Sequence, residues 1–403
     1  MNSPQPNHRP GTVSKRRRRS GNRKTRARNL RLVAACAIGI AILFFMRPLR
    51  GPGVFGTGKS QGLGEVPVQA PEPGPPVVEP ENKPVSALGE TRARKVSELA
   101  ERPNELGKVP VIMYHVIGES ESDWVRTAAN FRRDLERYYE LGYSLVPLQS
   151  YLTGEIDLPA GVSPLVITFD DATAGQFRLI AKKYVEDNGA RKSLEHNVPD
   201  PDSAVGILLE FSKAHPGFGH AATFFVDFPA PFEVPGEVRE KLNYLLDCGM
   251  EIGNHTYNHR NLRDCSADVI QMELGKQSGE IEQLTGRRPL SLALPYGGYP
   301  KDSSNKKHLM AGEYQGTAYE NRAVLLVGAE PALSPYHESL NKAAIPRIRG
   351  SEEELSKWLE YLDSSGTRYV SDGKAGTITV SEREQDSIAG AFRDTYEIVL
   401  LPD

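Results

Sequence analysis

At 403 residues the chain is long enough for one large domain or two ordinary ones, and 39% hydrophobic with 25% charged residues is the composition of a globular core. The formal charge of −3 hides an asymmetry: residues 1–31 hold eleven basic groups and no acid, so the remainder carries −14. A folded part that acidic repels a polyanion at long range, which excludes nucleic acid as its partner and suits a neutral or weakly cationic polymer.

In chain order, the basic head (residues 1–31) runs into Leu32–Met46, fifteen residues without a charge, closed by Arg47 and Arg50. Fifteen helical residues reach about 22 Å against roughly 30 Å of hydrocarbon, a gap that flanking arginines can bridge by snorkelling. A cleaved signal peptide shares this layout but needs small residues at its cleavage site. Phe44, Phe45 and Met46 offer none, so the reading is an uncleaved single-pass signal anchor at residues 32–46. The basic side stays cytoplasmic and the rest of the chain is extracytoplasmic at the cell membrane. A soluble protein with a basic arm is the remaining alternative. Residues 51–105 then read as a linker: the stretch 66–85, VPVQAPEPGPPVVEPENKPV, is rich in proline and acid and has no usable apolar period. A short helix is expected around Thr91–Leu106.

From Lys108 onward the pattern alternates strand and helix. Strands are expected at Val109–His115, Ser144–Val146, Leu165–Asp170, Ala222–Val226, Met250–Asn254, Leu290–Leu294, Ala323–Val327 and Ala344–Ile348. Helices are expected after Asn130 as a cap, with Phe131, Leu135 and Tyr138 on one face, then near 148–153, 175–188, 203–214, 236–247, 266–285 and 351–363. Short apolar strands separated by helices call for parallel strands covered on both faces. The fold class is therefore α/β, an irregular (β/α) barrel of about seven parallel strands spanning residues 106–403, with an insertion at about 189–220. In such a barrel, chemistry gathers at the C-terminal ends of the strands.

The polar clusters fall there. Asp170 and Asp171 close the run LVITF, and adjacent carboxylates are costly unless positive charge lies beside them. His255 and His259 follow the next strand but one and, four residues apart, can share one helical face and bind a single cation. Leu294-Pro-Tyr-Gly-Gly298 closes another strand with a turn, and His115 ends the first. Each cluster alone has an ordinary structural explanation: a cap, a chance pair, a turn, a satisfied imidazole. Together they place carboxylates, imidazoles and exposed backbone N–H groups on four strand ends, the set that metal-assisted hydrolysis requires. Three cysteines without a Cys-x-x-Cys exclude a cysteine-built metal site; Cys248 and Cys265 are left as a pair that distance would decide.

The segments VITFDD (166–171), EIGNHTYNH (251–259) and LPYGG (294–298), in that order, resemble the signatures of polysaccharide deacetylases with a NodB-homology domain, carbohydrate esterase family 4. The opening VPVIMYHVI (109–117) resembles the circularly permuted poly-N-acetylglucosamine deacetylase branch. The resemblance covers about residues 108–350. It implies a metal-dependent hydrolase that removes N-acetyl groups from a GlcNAc-containing polysaccharide. Asp170 would be the base, with Asp171, His255 and His259 as ligands of a divalent metal, Zn2+ first among those this donor set suits. The backbone N–H of Tyr296 would serve the oxyanion, and His115 would be the acid that protonates the departing amine. The chain departs from the family pattern at Ala172, where glycine is usual, and at Leu294, where an aromatic is usual. The arginine that orients the base has only Arg287, Arg288 and Arg347 as candidates. Those departures keep an O-acetyl esterase and a non-catalytic glycan-binding protein on the same fold as alternatives.

Overall fold

In a computed structural model the described residues are 102–403, apart from 182–184, 188–189, 193–196 and 329. The expected anchor at 32–46 and most of the linker lie outside them. Among the described residues no helix is long and apolar enough to cross a membrane. The described part of the expected 91–106 helix is not helical: Asn104 pairs with Val370 and Glu105–Leu106 lie in a turn.

Eight strands form the main sheet: β1 (Val111–Tyr114), β2 (Tyr143–Leu145), β3 (Ser163–Phe169), β4 (Thr223–Val226), β5 (Glu251–Asn254), β6 (Ser291–Ala293), β7 (Ala323–Leu325) and β8 (Ile348–Arg349). Seven follow the order β7–β6–β5–β4–β3–β1–β8, every pairing parallel, and β2 pairs with the first half of β3. The segment before β8 reaches both edges. Ile345 bridges Leu325 of β7, while Ile348 registers with Ile112 of β1, so one short stretch of chain joins the two ends of the sheet. This is the arrangement of the expected irregular (β/α) barrel.

The strands are short because each is buried on both faces: all seven residues of β3 and all four of β1 and β4 are buried. Side chains alternate between two cores. Ile112, Ile167, Phe169 and Phe224 pack outward with the helices, whereas Val111, Val166, Phe225, Ala293 and Leu325 form the inner cluster. Helix α1 (Ala128–Glu140) buries Phe131, Leu135 and Tyr138 as expected, but starts earlier: Thr127 is the cap, its Oγ1 accepting from the Asn130 N–H at 3.2 Å. The remaining long helices are α2 (Ala204–Ala214), α3 (Val238–Asp247), α4 (Ala267–Thr285) and α5 (Glu352–Ser365).

One expectation between β3 and β4 needs correction. Among the described residues of 175–188 there is no helix. Gln176, in a turn, and Phe177, just after it, are fully buried, and Leu179–Ala181 pairs antiparallel with Asn197–Pro199. The stretch expected as an insertion, 189–220, divides in two. Its first part belongs to these hairpins, but α2 buries Val205, Ile207 and Leu208 in the main core and packs on α1. Cys248 and Cys265 are free thiols.

The C-terminal residues, without a chemical assignment from sequence, form a parallel pair, β9 (Thr377–Ser381) with β10 (Glu397–Leu401). They meet the start of the domain through a knot of buried polar groups. Glu105, 3% exposed, accepts from the Thr379 N–H at 2.7 Å and from the Tyr369 hydroxyl at 3.1 Å.

Candidate active site

Register along the sheet brings the expected residues together. Tyr114 of β1 lies level with Phe169 of β3, so His115 and Asp170, each one residue on, leave adjacent strands at one height. The His115 Nε2 lies 4.0 Å from an Asp170 carboxylate oxygen. Gln176 fixes both strand ends, its amide donating to the carbonyls of His115 (2.6 Å) and Asp170 (2.5 Å). The turn carrying Gln176 can approach only because residue 175 is glycine: a Cβ there would stand 1.7 Å from the Ile117 carbonyl oxygen.

The carboxylate of Asp170 is fully buried, and so is the arginine that holds it. The two terminal nitrogens of Arg347 donate to the two Asp170 oxygens at 2.7 Å each, a bidentate pair. Arg347 is itself fixed through the Leu326 carbonyl (2.7 Å) and the Thr168 hydroxyl (3.1 Å). Burial pushes the Asp170 carboxyl up, but the Arg347 charge and then that of His255 outweigh it and hold Asp170 below the usual carboxylate range. Of the three arginines the sequence offered, Arg347 is the one that holds Asp170. Arg287 and Arg288 precede β6, at the opposite end of the strands, and Arg288 pairs with Glu282 there. No motif marked Arg347; its signal was that it falls within the last strand segment.

Asp171 turns the other way and gathers the histidines. One of its oxygens, Oδ1, lies 3.1 Å from the His255 Nε2 and 3.0 Å from the His259 Nε2. The Nδ1 of His255 faces the Ala293 carbonyl at 2.9 Å. A carbonyl can only accept, so that nitrogen carries a proton, and in the neutral imidazole the Nε2 is left with a lone pair. Two imidazole nitrogens and a carboxylate oxygen within 4.8 Å of one another call for a positive charge among them, a proton on an imidazole or a cation in its place. The donor set therefore fits a divalent metal. Electrostatics point the same way: burial opposes a charged His255, yet the charges of Asp170 and Asp171 and the hydrogen bonds to Asp171 and Ala293 raise its pKa. Asp171 is lowered by its hydrogen bonds to both histidines, against the effect of burial.

The two histidines do not share a helical face, as their spacing had predicted. They stand on a turn with positive φ at Thr256 (60°) and His259 (49°), anchored by the Thr256 hydroxyl accepting from the Arg260 N–H at 2.7 Å. Among the described residues eight non-glycines have positive φ, and five belong to this site: Asp171 (71°), Ala172 (42°), Thr256, His259 and Tyr296 (57°). Ala172, where glycine is usual, therefore holds a strained backbone, and strain of this kind collects where geometry serves function. Tyr296 is 70% exposed, its hydroxyl 3.1 Å from the His259 Nδ1, and its backbone N–H donates to no acceptor among the described residues.

Sequence reasoning passed over two neighbours. Trp124 stands edge-on to His115 (ring centroids 4.7 Å apart) with the Arg349 guanidinium 4.3 Å over its ring. Asp227 directly follows β4, so the strand-end criterion that selected the other residues applies to it equally.

Residues 217–311 match the family model described as polysaccharide deacetylase. No curated protein matches the chain. Among solved structures, a polysaccharide deacetylase from Bacillus cereus aligns at 18% identity and a TM-score of 0.44, covering 62% of this chain and 69% of its own. The Streptococcus pyogenes deacetylase PplD, in complex with acetate, aligns at 17% and 0.42, covering 64% and 99%. IcaB from Ammonifex degensii aligns at 15% and 0.41, covering 63% and 97%. The family match runs through β5, both histidines and Tyr296, so over residues 217–311 the chain is similar to polysaccharide deacetylases at residues just built into the site.

Proposed function

We propose that the protein is a metal-dependent N-deacetylase of a GlcNAc-containing polysaccharide, working at the cell envelope. One observation carries the reading: an Asp171 oxygen and two imidazole nitrogens converge beside a carboxylate that a buried arginine keeps ionised. A divalent cation held by Asp171, His255 and His259 would supply Lewis acidity toward the acetamide carbonyl and a more acidic water. The protein's own groups divide the proton work. Asp170, ionised through Arg347, takes the proton of the water that attacks the carbonyl carbon. The free N–H of Tyr296 donates to the oxygen that becomes negative as the carbonyl turns tetrahedral. His115 delivers a proton to the nitrogen as the C–N bond breaks, because an amine does not leave as an anion at neutral pH. Acetate and a free amine result.

Burial lowers the His115 pKa, against the charges of Asp170 and Asp171, so a proton on it is readily given up. The O-acetyl esterase alternative lacks this requirement, since an alcohol is a better leaving group. The glycan-binding alternative loses one of its two motives now that Arg347 takes the place of the missing arginine. The basic head, apolar run and proline-rich stretch support a tether holding residues 106–403 outside the membrane.

The test is acetate release from chitooligosaccharides and from an O-acetylated glycan, with chelator and with zinc restored. Release from the N-acetyl substrate that chelator abolishes and zinc restores is the expected result. An Asp171→Ala or His255→Ala variant that keeps full activity would sink the assignment.

A further inference from the structure

Asp227 belongs to none of the motifs, yet the backbone delivers it to the same place. Val226 registers with Asn254, which puts Asp227 level with His255. Two hydrogen bonds brace the position on either side: His255 N–H to the Val226 carbonyl and Phe228 N–H to the Tyr257 carbonyl, both 3.1 Å. Residue 227 is thus clamped to the turn that carries the histidines. The charges acting most strongly on its carboxyl are those of His255, His259 and Asp171, in that order. Its carboxylate is partly buried, and among the described residues it hydrogen-bonds only to its own backbone N–H. It also stands outside the group of donor atoms lying within 4.8 Å of one another. A partly desolvated carboxylate with neither a donor from another residue nor a cation is unfavourable, unless the cation arrives with a ligand.

We propose that Asp227 is a second carboxylate of the cation site, acting on a bound divalent cation through an intervening water, and that its charge tightens cation binding. The inference rests on the cation site proposed above and adds a residue to it. Asp171 alone offsets one of the cation's two charges, since Asp170 is already neutralised by Arg347. Asp227 offsets the other. Groups just outside the inner ligands typically change metal affinity by about 10–100-fold.

The experiment is a zinc titration of the full-length chain against a competing chromophoric chelator, with thermal melting as a check on folding. Asp227→Asn, which removes the charge and keeps the shape, is expected to weaken zinc binding at least about tenfold. Asp227→Glu, which keeps the charge, is expected to recover most of that loss. Should the Asn variant fail to melt as a folded protein, Asp227→Ser takes its place. Native affinity in the charge-removing variant overturns the proposal, and so does an equal loss in the Asn and Glu variants. In both cases the native chain still binds zinc and the proposed function stands. A native chain that binds no divalent cation, tested beside His255→Ala, overturns this inference together with the metal reading beneath it.

Discussion

Two buried carboxylates at different places in the protein are treated in opposite ways. Asp170, at the strand ends, is fully buried and clasped by Arg347, and stays ionised. Glu105, where the start of the domain meets β9, is nearly as buried but has only a hydroxyl, the backbone N–H groups of Thr379 and Asp372 and the like charge of Asp372 for company. Desolvation, with a smaller push from Asp372, raises its pKa to about 7 despite the Thr379 and Tyr369 hydrogen bonds. The difference shows where a buried charge is kept. On the proposed reaction, the charge needed for proton transfer is given a matched cation at the cost of burying two ions, whereas a carboxyl that only ties segments together can go neutral.

The strongest way to break this contrast is to take the cation away. Arg347→Met leaves Asp170 buried and unpaired, and should cost about 3–5 kcal/mol in urea melts. Adding Asp170→Asn should restore much of that stability while acetate release stays lost. Asp170→Asn alone is expected to lower the rate of acetate release by about 10²–10⁴-fold, measured as kcat under saturating zinc.

Glu105 offers the next largest effect, on stability rather than rate. Its folded-state pKa lies above the usual 4.5, so the folded protein binds the proton more tightly than the unfolded chain does. Its contribution to stability is complete below pH 4.5 and is lost as pH rises through about 7, on the order of 3 kcal/mol across that window. In Glu105→Gln this part of the pH dependence should disappear from the unfolding free energy. An unchanged slope would mean that Glu105 titrates normally. The smallest effect is at Ala172, with φ of 42° and its methyl buried. Ala172→Gly should relieve backbone strain and raise stability by up to about 1 kcal/mol, less what the lost methyl contributed.

Much of this architecture could be read from the sequence because barrel strands buried on both faces are simple apolar runs that end in polar residues. His115, Asp170, Asp171, His255, His259 and Tyr296 all announced themselves at such ends. Arg347 did not, because its role depends on β8 lying beside β1, a pairing between residues more than 230 positions apart. The histidine turn was misread as helix because a four-residue spacing looks the same whether helical hydrogen bonds or positive-φ residues enforce it. The path through 175–181 was misread for a related reason: Gln176 and Phe177 are held by tertiary contacts that no local periodicity records. The last fifty residues carry no motif, and their place depends on contacts with the first residues of the domain.

Those contacts have a mechanical consequence. Asn104 and Val370 exchange both backbone hydrogen bonds at 2.9 Å, the Glu105 N–H reaches the Thr379 carbonyl at 2.9 Å, and Lys108 is bonded to Thr367 and Tyr369. Gly107 lies so close to the Arg368 backbone that a Cβ would come within 2.3 Å of it. A pull on the chain ahead of Asn104 therefore loads this seam before it loads any barrel strand. The C-terminal residues act as a latch, taking up force at the point of attachment and leaving the strand ends undistorted.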